Sequence, residues 1–313
     1  MDSAPRAIAP RAIAPRAIAP RAIAPRAIAP RAIAPRPEGT VAAVRGLGKI
    51  HGPGCPECRE RTGPDRSTNV CSRCGSVVAL LDVSFDLRAG EILGIVGESG
   101  CGKSTLVQCI YFDMEATEGA LHLAGRDPGE NALRLPRSTQ RKIRGTMMGM
   151  VYQNPLRGLR MDISSGANVA EKLLEAGVFD FGRIRRRAGD LLTHTEIPPA
   201  YIDVPPLALS GGMQQRIQIA KALANNPPLV LLDEVTSGLD VSVQARVLDL
   251  VRQLQRESGI SMIVVSHDMG VIRLLADRTL VLKNGRIVEQ GITDQILEDP
   301  QHPYSQLLVH STL

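Results

Sequence analysis

Two short, wholly apolar runs organise the hydrophobic pattern in the second half of the chain. Residues 229–232 and 262–265 have the continuous apolar character of strands that are covered on both faces. Between them, apolar side chains recur at helical spacing at Val243, Val247, Leu250, Val251 and Leu254. A strand, a helix and a second strand in this order predict parallel pairing through a right-handed crossover.

The first half of the chain carries similar signals. Residues 91–96 predict a short buried strand that ends in a glycine-rich turn, and a helix is predicted from Lys103 to about Tyr111. Upstream, residues 41–50 predict an edge strand and residues 79–87 its antiparallel return.

A hairpin and a helical stretch complete the pattern. Residues 279–282 and 286–288 flank an Asn284-Gly285 turn, which is typical of a hairpin. Residues from about 156 to 228 lack strand-like alternation and are predicted to be mainly helical. The sequence therefore predicts an α/β fold with an antiparallel section at the front and a helical insertion in the middle.

The first 39 residues differ from the remainder. Residues 5–34 are six tandem copies of Pro-Arg-Ala-Ile-Ala. A proline at every fifth position disrupts a helix, and isolated isoleucines are too sparse to form a core. We predict a disordered arm over residues 1–39 and an ordered domain over residues 40–313. The arm is a repeat expansion or an extended start site, or it binds an anionic partner through its arginines.

The charge of the 313-residue chain is unevenly placed. The chain has 37 Lys and Arg residues against 32 Asp and Glu, a net charge of +5. Without the seven arginines and one aspartate of residues 1–36, 30 basic residues face 31 acidic ones. With only four Tyr, four Phe and no Trp, the domain offers few stacking surfaces, so we expect no direct nucleic-acid binding.

The expected cellular location follows from what the sequence lacks. No apolar run approaches the roughly 18 residues of a membrane-spanning helix, and no secretory signal is present. We therefore expect a reducing, cytoplasmic location.

The turn after the strand at 91–96 has the sequence of a phosphate-binding loop. Residues 97–104, GESGCGKS, fit the pattern G-x-x-x-x-G-K-[ST] between a predicted strand and a predicted helix. Backbone N–H groups of such a loop converge on phosphate oxygens, Lys103 reaches the β- and γ-phosphates, and Ser104 supplies a hydroxyl to Mg²⁺. The alternative is a glycine-rich turn that binds nothing. The nucleotide-binding candidates are Gly97, Ser99, Gly100, Gly102, Lys103, Ser104 and Thr105.

Cys101 lies within this loop. Its position at a helix N-terminus could lower its pKa and make it redox-sensitive, or it is an inert small residue.

Two adjacent carboxylates close the apolar run at 229–232. Because side chains alternate at a strand end, Asp233 can face a metal while Glu234 faces an attacking water. The alternative is an acidic pair that merely begins a helix.

The segment 209–216, LSGGMQQR, resembles the signature motif of ATP-binding cassette (ABC) ATPases. With the P-loop and the acidic pair, it makes residues 40–313 similar to an ABC ATP-binding domain. The resemblance implies a P-loop NTPase core with an antiparallel β-subdomain and a helical subdomain at about 156–215. It also implies a head-to-tail dimer in which the signature helix of one chain, through Ser210, Gly211 and Gly212, faces the γ-phosphate bound by the other.

The resemblance also assigns roles at matching positions. It implies that Gln153 is the Q-loop glutamine, that residues 237–240 are the D-loop ending at Asp240, and that His267 is the switch histidine. Glu234, His267 and Gln153 would then be catalytic, and Ser104, Gln153 and Asp233 would hold Mg²⁺. Members usually stack an aromatic residue on adenine, and His51 stands nearest to that position here.

Four cysteines lie in an insertion over residues 52–76. Cys55-x-x-Cys58 and Cys71-x-x-Cys74 form two knuckles separated by twelve residues, which is typical of a structural Zn(Cys)₄ ribbon. Disulfides and an iron–sulfur or redox site are the alternatives. We expect the module to dock a partner rather than to perform chemistry.

Several segments narrow the resemblance to one subfamily. Residues 154–160, 164–168, 196–198, 202–203 and 240–246 resemble the ATP-binding subunits of the carbon–phosphorus lyase system for phosphonate breakdown. This implies an ATPase that docks on the carbon–phosphorus lyase core complex. Residues 302–308, HPYSQLL, resemble the C-terminal motif of oligopeptide and nickel importer ATPases. The alternatives are therefore a motor for membrane permease subunits, peripheral to the inner membrane, and a nucleic-acid-linked ABC ATPase.

Overall fold

The computed structural model describes residues 39–312, so the predicted arm lies, except for Gly39, outside the described residues. The strands in this range are β1 (Thr40–His51), β2 (Val77–Arg88), β3 (Ile92–Val96), β4 (Glu118–Leu123), β5 (Met148–Val151), β6 (Leu229–Asp233), β7 (Ser261–Val265), β8 (Arg278–Lys283) and β9 (Arg286–Ile292). The helices are α1 (Cys58–Arg61), α2 (Lys103–Ile110), α3 (Arg137–Thr146), α4 (Pro155–Gly158), α5 (Ser165–Glu175), α6 (Phe181–His194), α7 (Gly211–Ala222), α8 (Val241–Ser258), α9 (Met269–Leu275), α10 (Thr293–Glu298) and α11 (Pro303–Thr312).

The larger sheet has the order β5-β6-β7-β3-β8-β9 and is parallel except for β9. The predicted parallel pairing is confirmed, because β6 lies beside β7 with Leu229 opposite Ser261. Alternate residues of β6 pack into different cores: Val230 and Leu232 into one cluster, Leu229 and Leu231 into another. Burial on both faces explains why this strand is wholly apolar.

The smaller sheet is antiparallel, with the order β2-β1-β4. The prediction that the first strand is an edge strand is wrong, since β1 lies between β2 and β4. β4 was missed because its sequence, EGALHL, has no clean alternation of apolar and polar residues. The α/β fold with an antiparallel section is nevertheless confirmed.

The predicted hairpin is present as β8 and β9, with Asn284 (φ 44°) and Gly285 (φ 77°) in its turn. Both central residues have the positive φ that this tight hairpin turn requires. From residue 155 to 222, the regular elements are α4 to α7 and two short 3₁₀ turns, as the helical prediction expects. The exact domain boundaries stay a prediction. Among residues 39–312, none of the helices is long and apolar enough to cross a membrane.

Candidate active site

The phosphate-binding loop connects the end of β3, at Val96, to the start of α2, at Lys103. Two of its glycines are required by close packing. Gly97 has φ +150°, and a Cβ there would lie 2.1 Å from the carbonyl oxygen of Leu282. Gly102 has φ +111°, and its Cβ would lie 2.3 Å from the carbonyl oxygen of Ala79. Strands β8 and β2 therefore fix the loop from two sides.

Lys103 folds back over its own loop. Its ammonium donates to the carbonyl oxygens of Gly97 (2.7 Å) and Glu98 (3.0 Å), and the residue is buried. This places a buried positive charge at the entrance to α2, where backbone N–H groups also converge.

Cys101 does not have the lowered pKa that redox sensitivity would require. Burial raises the pKa of its thiol and outweighs the nearby Lys103 ammonium. The structure therefore favours an inert small residue at this position.

Ser104 and Asp233 meet at the end of β6. The Ser104 hydroxyl donates to Asp233 Oδ1 at 2.9 Å, and Asp233 is only 3% exposed. Burial, with the neighbouring Glu234 charge, raises the pKa of Asp233, although the Ser104 hydrogen bond lowers it. A hydroxyl and a buried carboxylate beside a phosphate-binding loop are the oxygen ligands that Mg²⁺ prefers, so these residues fit the ion.

Glu234 stands at the centre of a second cluster. Its Oε2 accepts a hydrogen bond from Gln153 Nε2 at 2.9 Å and lies 3.3 Å from His267 Nδ1. Glu234 adopts φ +46°, a strained conformation for a residue with a side chain, and its N–H donates to Val265 O at 3.0 Å. The structure thus brings together the three residues predicted to be catalytic.

The predicted Mg²⁺ ligands are not all in contact. Ser104 and Asp233 are hydrogen-bonded to each other, whereas the amide of Gln153 contacts Glu234 and Ser237. The role of Gln153 as a metal ligand stays a prediction.

The signature residues lie at the start of α7. Ser210 is its N-cap, and its hydroxyl accepts from Met213 N at 3.4 Å. Gly211 and Gly212 form the first turn. Within residues 39–312, no hydrogen bond connects these three residues to the P-loop of the same chain.

Two further candidates have less defined surroundings. Asp240 is the N-cap of α8 but makes no side-chain capping hydrogen bond. His51 is the exposed last residue of β1, opposite Val77. Their predicted roles with nucleotide stay predictions.

The four cysteines of the insertion form one cluster. Their sulfur atoms all lie within 4.8 Å of one another, and neighbouring pairs are 3.5, 3.6 and 3.7 Å apart. Tetrahedral thiolates about 2.3 Å from zinc would be separated by about 3.8 Å, so the cluster fits that ion. These separations are too long for disulfides, whose sulfurs lie about 2.05 Å apart.

The surroundings of Cys74 favour the thiolate form. Hydrogen bonds with the side chain and backbone of Ser76 lower the pKa of Cys74 to about 6. Burial, in contrast, raises the pKa of Cys58. A divalent cation would supply the positive charge that four thiolates need.

The four-cysteine module packs on the nucleotide-binding core, which sequence reasoning missed. Asn69 Nδ2 donates to the carbonyl oxygen of Gly100 in the P-loop at 3.4 Å. On another side, Arg286 of β9 donates to the carbonyl oxygen of Arg59 at 2.9 Å. The module therefore faces its own chain at the P-loop, in addition to any partner surface.

A basic cavity of about 530 Å³ beside α3 was also missed. It is lined by Arg134, Arg137, Arg141 and Arg144 among others. The last three recur four and three residues apart on α3, so helical spacing could have revealed this basic face.

Comparisons with known proteins agree with this geometry. Residues 80–237 match the ABC transporter family. The chain is 50% identical over 232 residues to the phosphonates utilization ATP-binding protein PhnK of Escherichia coli (strain K12), covering 74% of this chain and 90% of PhnK. It is 35% identical over 235 residues to the oligopeptide transport ATP-binding protein OppD of Lactococcus lactis subsp. cremoris (strain SK11), covering 74% of this chain and 70% of OppD.

A solved structure of the same fold is that of the ATP-binding cassette MJ0796 as a dimer bound to ADP and Pi. It superposes with a TM-score of 0.67 at 28% identity, covering 80% of this chain and 98% of that chain. The chain therefore belongs to the ABC transporter family, and it is an ATPase with the ABC fold.

Proposed function

We propose that this chain is the ATP-hydrolysing subunit that docks on the carbon–phosphorus lyase complex and drives its turnover in phosphonate breakdown. The observation that carries the proposal is the 50% identity to PhnK, against 35% to OppD over a similar length. Each of the two matches covers 74% of this chain.

In the proposed ATPase site, the P-loop N–H groups and the Lys103 ammonium bind the β- and γ-phosphates. Lys103 then exchanges its bonds to the carbonyl oxygens of Gly97 and Glu98 for bonds to phosphate oxygens. Ser104 and Asp233 hold Mg²⁺, which when bound neutralises charge that develops on the phosphates.

Glu234 is the proposed general base. Gln153 and His267 both approach its Oε2, and Oε1 has no hydrogen-bond partner among residues 39–312. The two neighbours therefore fix the carboxylate and leave Oε1 to accept a proton from the attacking water. His267, which is half exposed, can turn toward the γ-phosphate.

A dimer completes the proposed site. No hydrogen bond joins the signature residues to the P-loop in the part of the chain that the structure describes, so the Ser210 helix N-terminus is available to a phosphate bound by a second copy. The dimeric MJ0796 cassette supports this arrangement.

The proposed docking face lies on α4 and α3. Leu156 is 66% exposed, and Arg157 and Arg160 are exposed beside it. Arg144, which forms an ion pair with Asp113, lines both the basic cavity and a second cavity that includes Arg157, so the two cavities share this arginine. We expect an acidic partner surface there.

Affinity purification of the tagged full chain from its native cell, with mass spectrometry of the retained proteins, tests the proposal. Carbon–phosphorus lyase subunits should copurify, and Arg160→Glu should reduce their recovery while basal ATPase activity persists. Arg183→Glu on α6, outside the docking face, is the matched control and should retain them.

An importer motor is the second candidate, supported by OppD and by OppF of Haemophilus influenzae (strain ATCC 51907 / DSM 11121 / KW20 / Rd), which is 37% identical over 232 residues. In the same purification, a permease retained in detergent without lyase subunits would favour it. The chain would then be peripheral to the inner membrane.

For the insertion, we propose one structural zinc ion held by Cys55, Cys58, Cys71 and Cys74. The sulfur spacing and the absence of any further His, Asp or Glu from this cluster in residues 39–312 support a closed tetrahedral site.

A further inference from the structure

Tyr304, at the start of α11, contacts the P-loop although it lies 206 residues away from it in sequence. Its hydroxyl oxygen accepts a hydrogen bond from the backbone N–H of Glu98 at 2.9 Å. The residue is 4% exposed, and burial raises the pKa of its phenol to about 12, so the hydroxyl stays neutral.

Tyr304 and Lys103 hold the same peptide segment through different backbone groups. Lys103 donates to the carbonyl oxygens of Gly97 and Glu98, whereas Tyr304 binds the Glu98 N–H. When the ammonium turns to phosphate oxygens, the carbonyl bonds weaken. The Tyr304 bond does not depend on Lys103 and can persist.

Tyr304 is itself held in place by several contacts. The Lys283 ammonium lies 4.8 Å from the centre of its ring. Glu289 of β9 accepts hydrogen bonds from the N–H groups of Gln301 (2.8 Å) and His302 (2.9 Å), just before α11. The Tyr304 N–H donates to His302 Nδ1 at 3.0 Å. The phenol is therefore preorganised, and little side-chain freedom is lost by holding the loop.

We propose that Tyr304 is a positioning residue that keeps the entrance of the P-loop in its nucleotide-binding conformation while Lys103 binds phosphate. The C-terminal helix thereby acts on ATP affinity without touching the nucleotide. Loss of the hydroxyl should leave the Glu98 N–H without its partner and allow the loop to depart from this conformation.

The test compares Tyr304→Phe with Tyr111→Phe in the full-length chain. Tyr111 is also buried, and its hydroxyl accepts from Lys172 Nζ at 2.9 Å, away from the P-loop. Both variants lose one buried hydroxyl and keep the ring. Calorimetry with AMP-PNP and Mg²⁺ should give a Kd raised roughly three- to tenfold in Tyr304→Phe, the loss expected for one hydrogen bond, and unchanged in Tyr111→Phe.

Thermal unfolding separates positioning from general stability. Without nucleotide, both variants should unfold at somewhat lower temperatures than the wild type, but only Tyr304→Phe should show a smaller increase with AMP-PNP. A Kd for Tyr304→Phe within about twofold of wild type, or an equal loss in Tyr111→Phe, would overturn the proposal.

A measurement on the wild-type chain covers the case in which Tyr304→Phe does not fold. In hydrogen–deuterium exchange without nucleotide, the Glu98 amide should be protected, because it is bonded to a buried phenol. Rapid exchange of that amide in the folded chain would contradict the proposal.

Discussion

At the scale of single residues, the position of Glu234 yields the sharpest prediction. Replacing Glu234 by Gln preserves the shape and the contact with Gln153 but removes the group that accepts a proton. Phosphate release should fall by about 100-fold or more, while ATP binding by calorimetry stays near the wild-type value. Glu257→Gln is the control, since this exposed carboxylate contacts His194, remote from the P-loop in sequence and contacts. Unchanged hydrolysis in Glu234→Gln would exclude the base assignment.

The residues of this site differ in how well sequence could predict them. The P-loop glycines, Lys103 and Ser104 occupy one short motif whose spacing itself encodes the turn and the helix. Tyr304 and Asn69 contact the same loop only in the folded protein. They lie 206 and 31 residues away in sequence from their partners, Glu98 and Gly100. A tyrosine or an asparagine in a short motif carries no signal of a distant backbone partner, so these contacts required the structure.

At the scale of secondary-structure elements, the stability with which α11 packs on the protein should depend on the negative charge of Glu289. Burial opposes ionisation of Glu289, but the Ser305 hydroxyl and the hydrogen bonds from the Gln301 and His302 N–H groups together outweigh it and lower its pKa. Its stabilising contribution is therefore present above the unfolded pKa of about 4.3 and is lost as pH falls through the lower folded value. Glu289→Gln should lower the unfolding temperature at pH 7.

A pH series checks that this effect comes from the charge. The difference in unfolding temperature between wild type and Glu289→Gln should shrink as the pH falls below about 4, where both side chains are neutral. A difference that is independent of pH would mean that the charge does not stabilise α11. Glu298→Gln, on the exposed end of α10, should show little difference at any pH.

The four-cysteine module gives a second prediction for an element. Replacing Cys71 and Cys74 together by Ser should abolish the content of about one zinc per chain, measured by elemental analysis. Because Asn69 of the module contacts Gly100 of the P-loop, the variant should also bind ATP more weakly than the wild type. Cys109 is a buried cysteine outside the cluster, so the Cys109→Ala variant should retain the zinc content of the wild type. Full zinc content after the double replacement would exclude this site.

Elements were predictable where one physical requirement dominated the sequence. Strands β6 and β7 could be predicted because burial on both faces makes their sequences wholly or almost wholly apolar. The β8–β9 hairpin could be predicted from its Asn284-Gly285 turn. β4 could not be predicted from the sequence, because it is short and only partly buried. It pairs with β1, from which it is separated along the chain by β2, β3 and α2. Its position depends on tertiary contacts, and the predicted edge role of β1 failed for the same reason.

At the scale of the whole molecule, the proposed head-to-tail dimer makes a prediction, because in it each ATPase site would be shared by two chains. Lys103→Ala should disable one half of a site, and Ser210→Arg should disable the other half by placing a bulky side chain at the start of α7. In a head-to-tail dimer, a mixed pair of these variants contains one site in which both halves are intact. A dimer formed by either variant alone contains no intact site.

Mixing the two inactive variants therefore tests the assembly directly. At equal concentrations, half of the dimers are mixed and each has one working site of two, so the ATPase rate per chain should recover to about a quarter of wild type if the sites act independently. Recovery should depend on total concentration, because it requires association. If Ser210→Arg alone hydrolysed ATP normally, one chain would suffice and the shared-site arrangement would be wrong; if the mixture stayed inactive although mixed dimers formed, hydrolysis would require both sites at once.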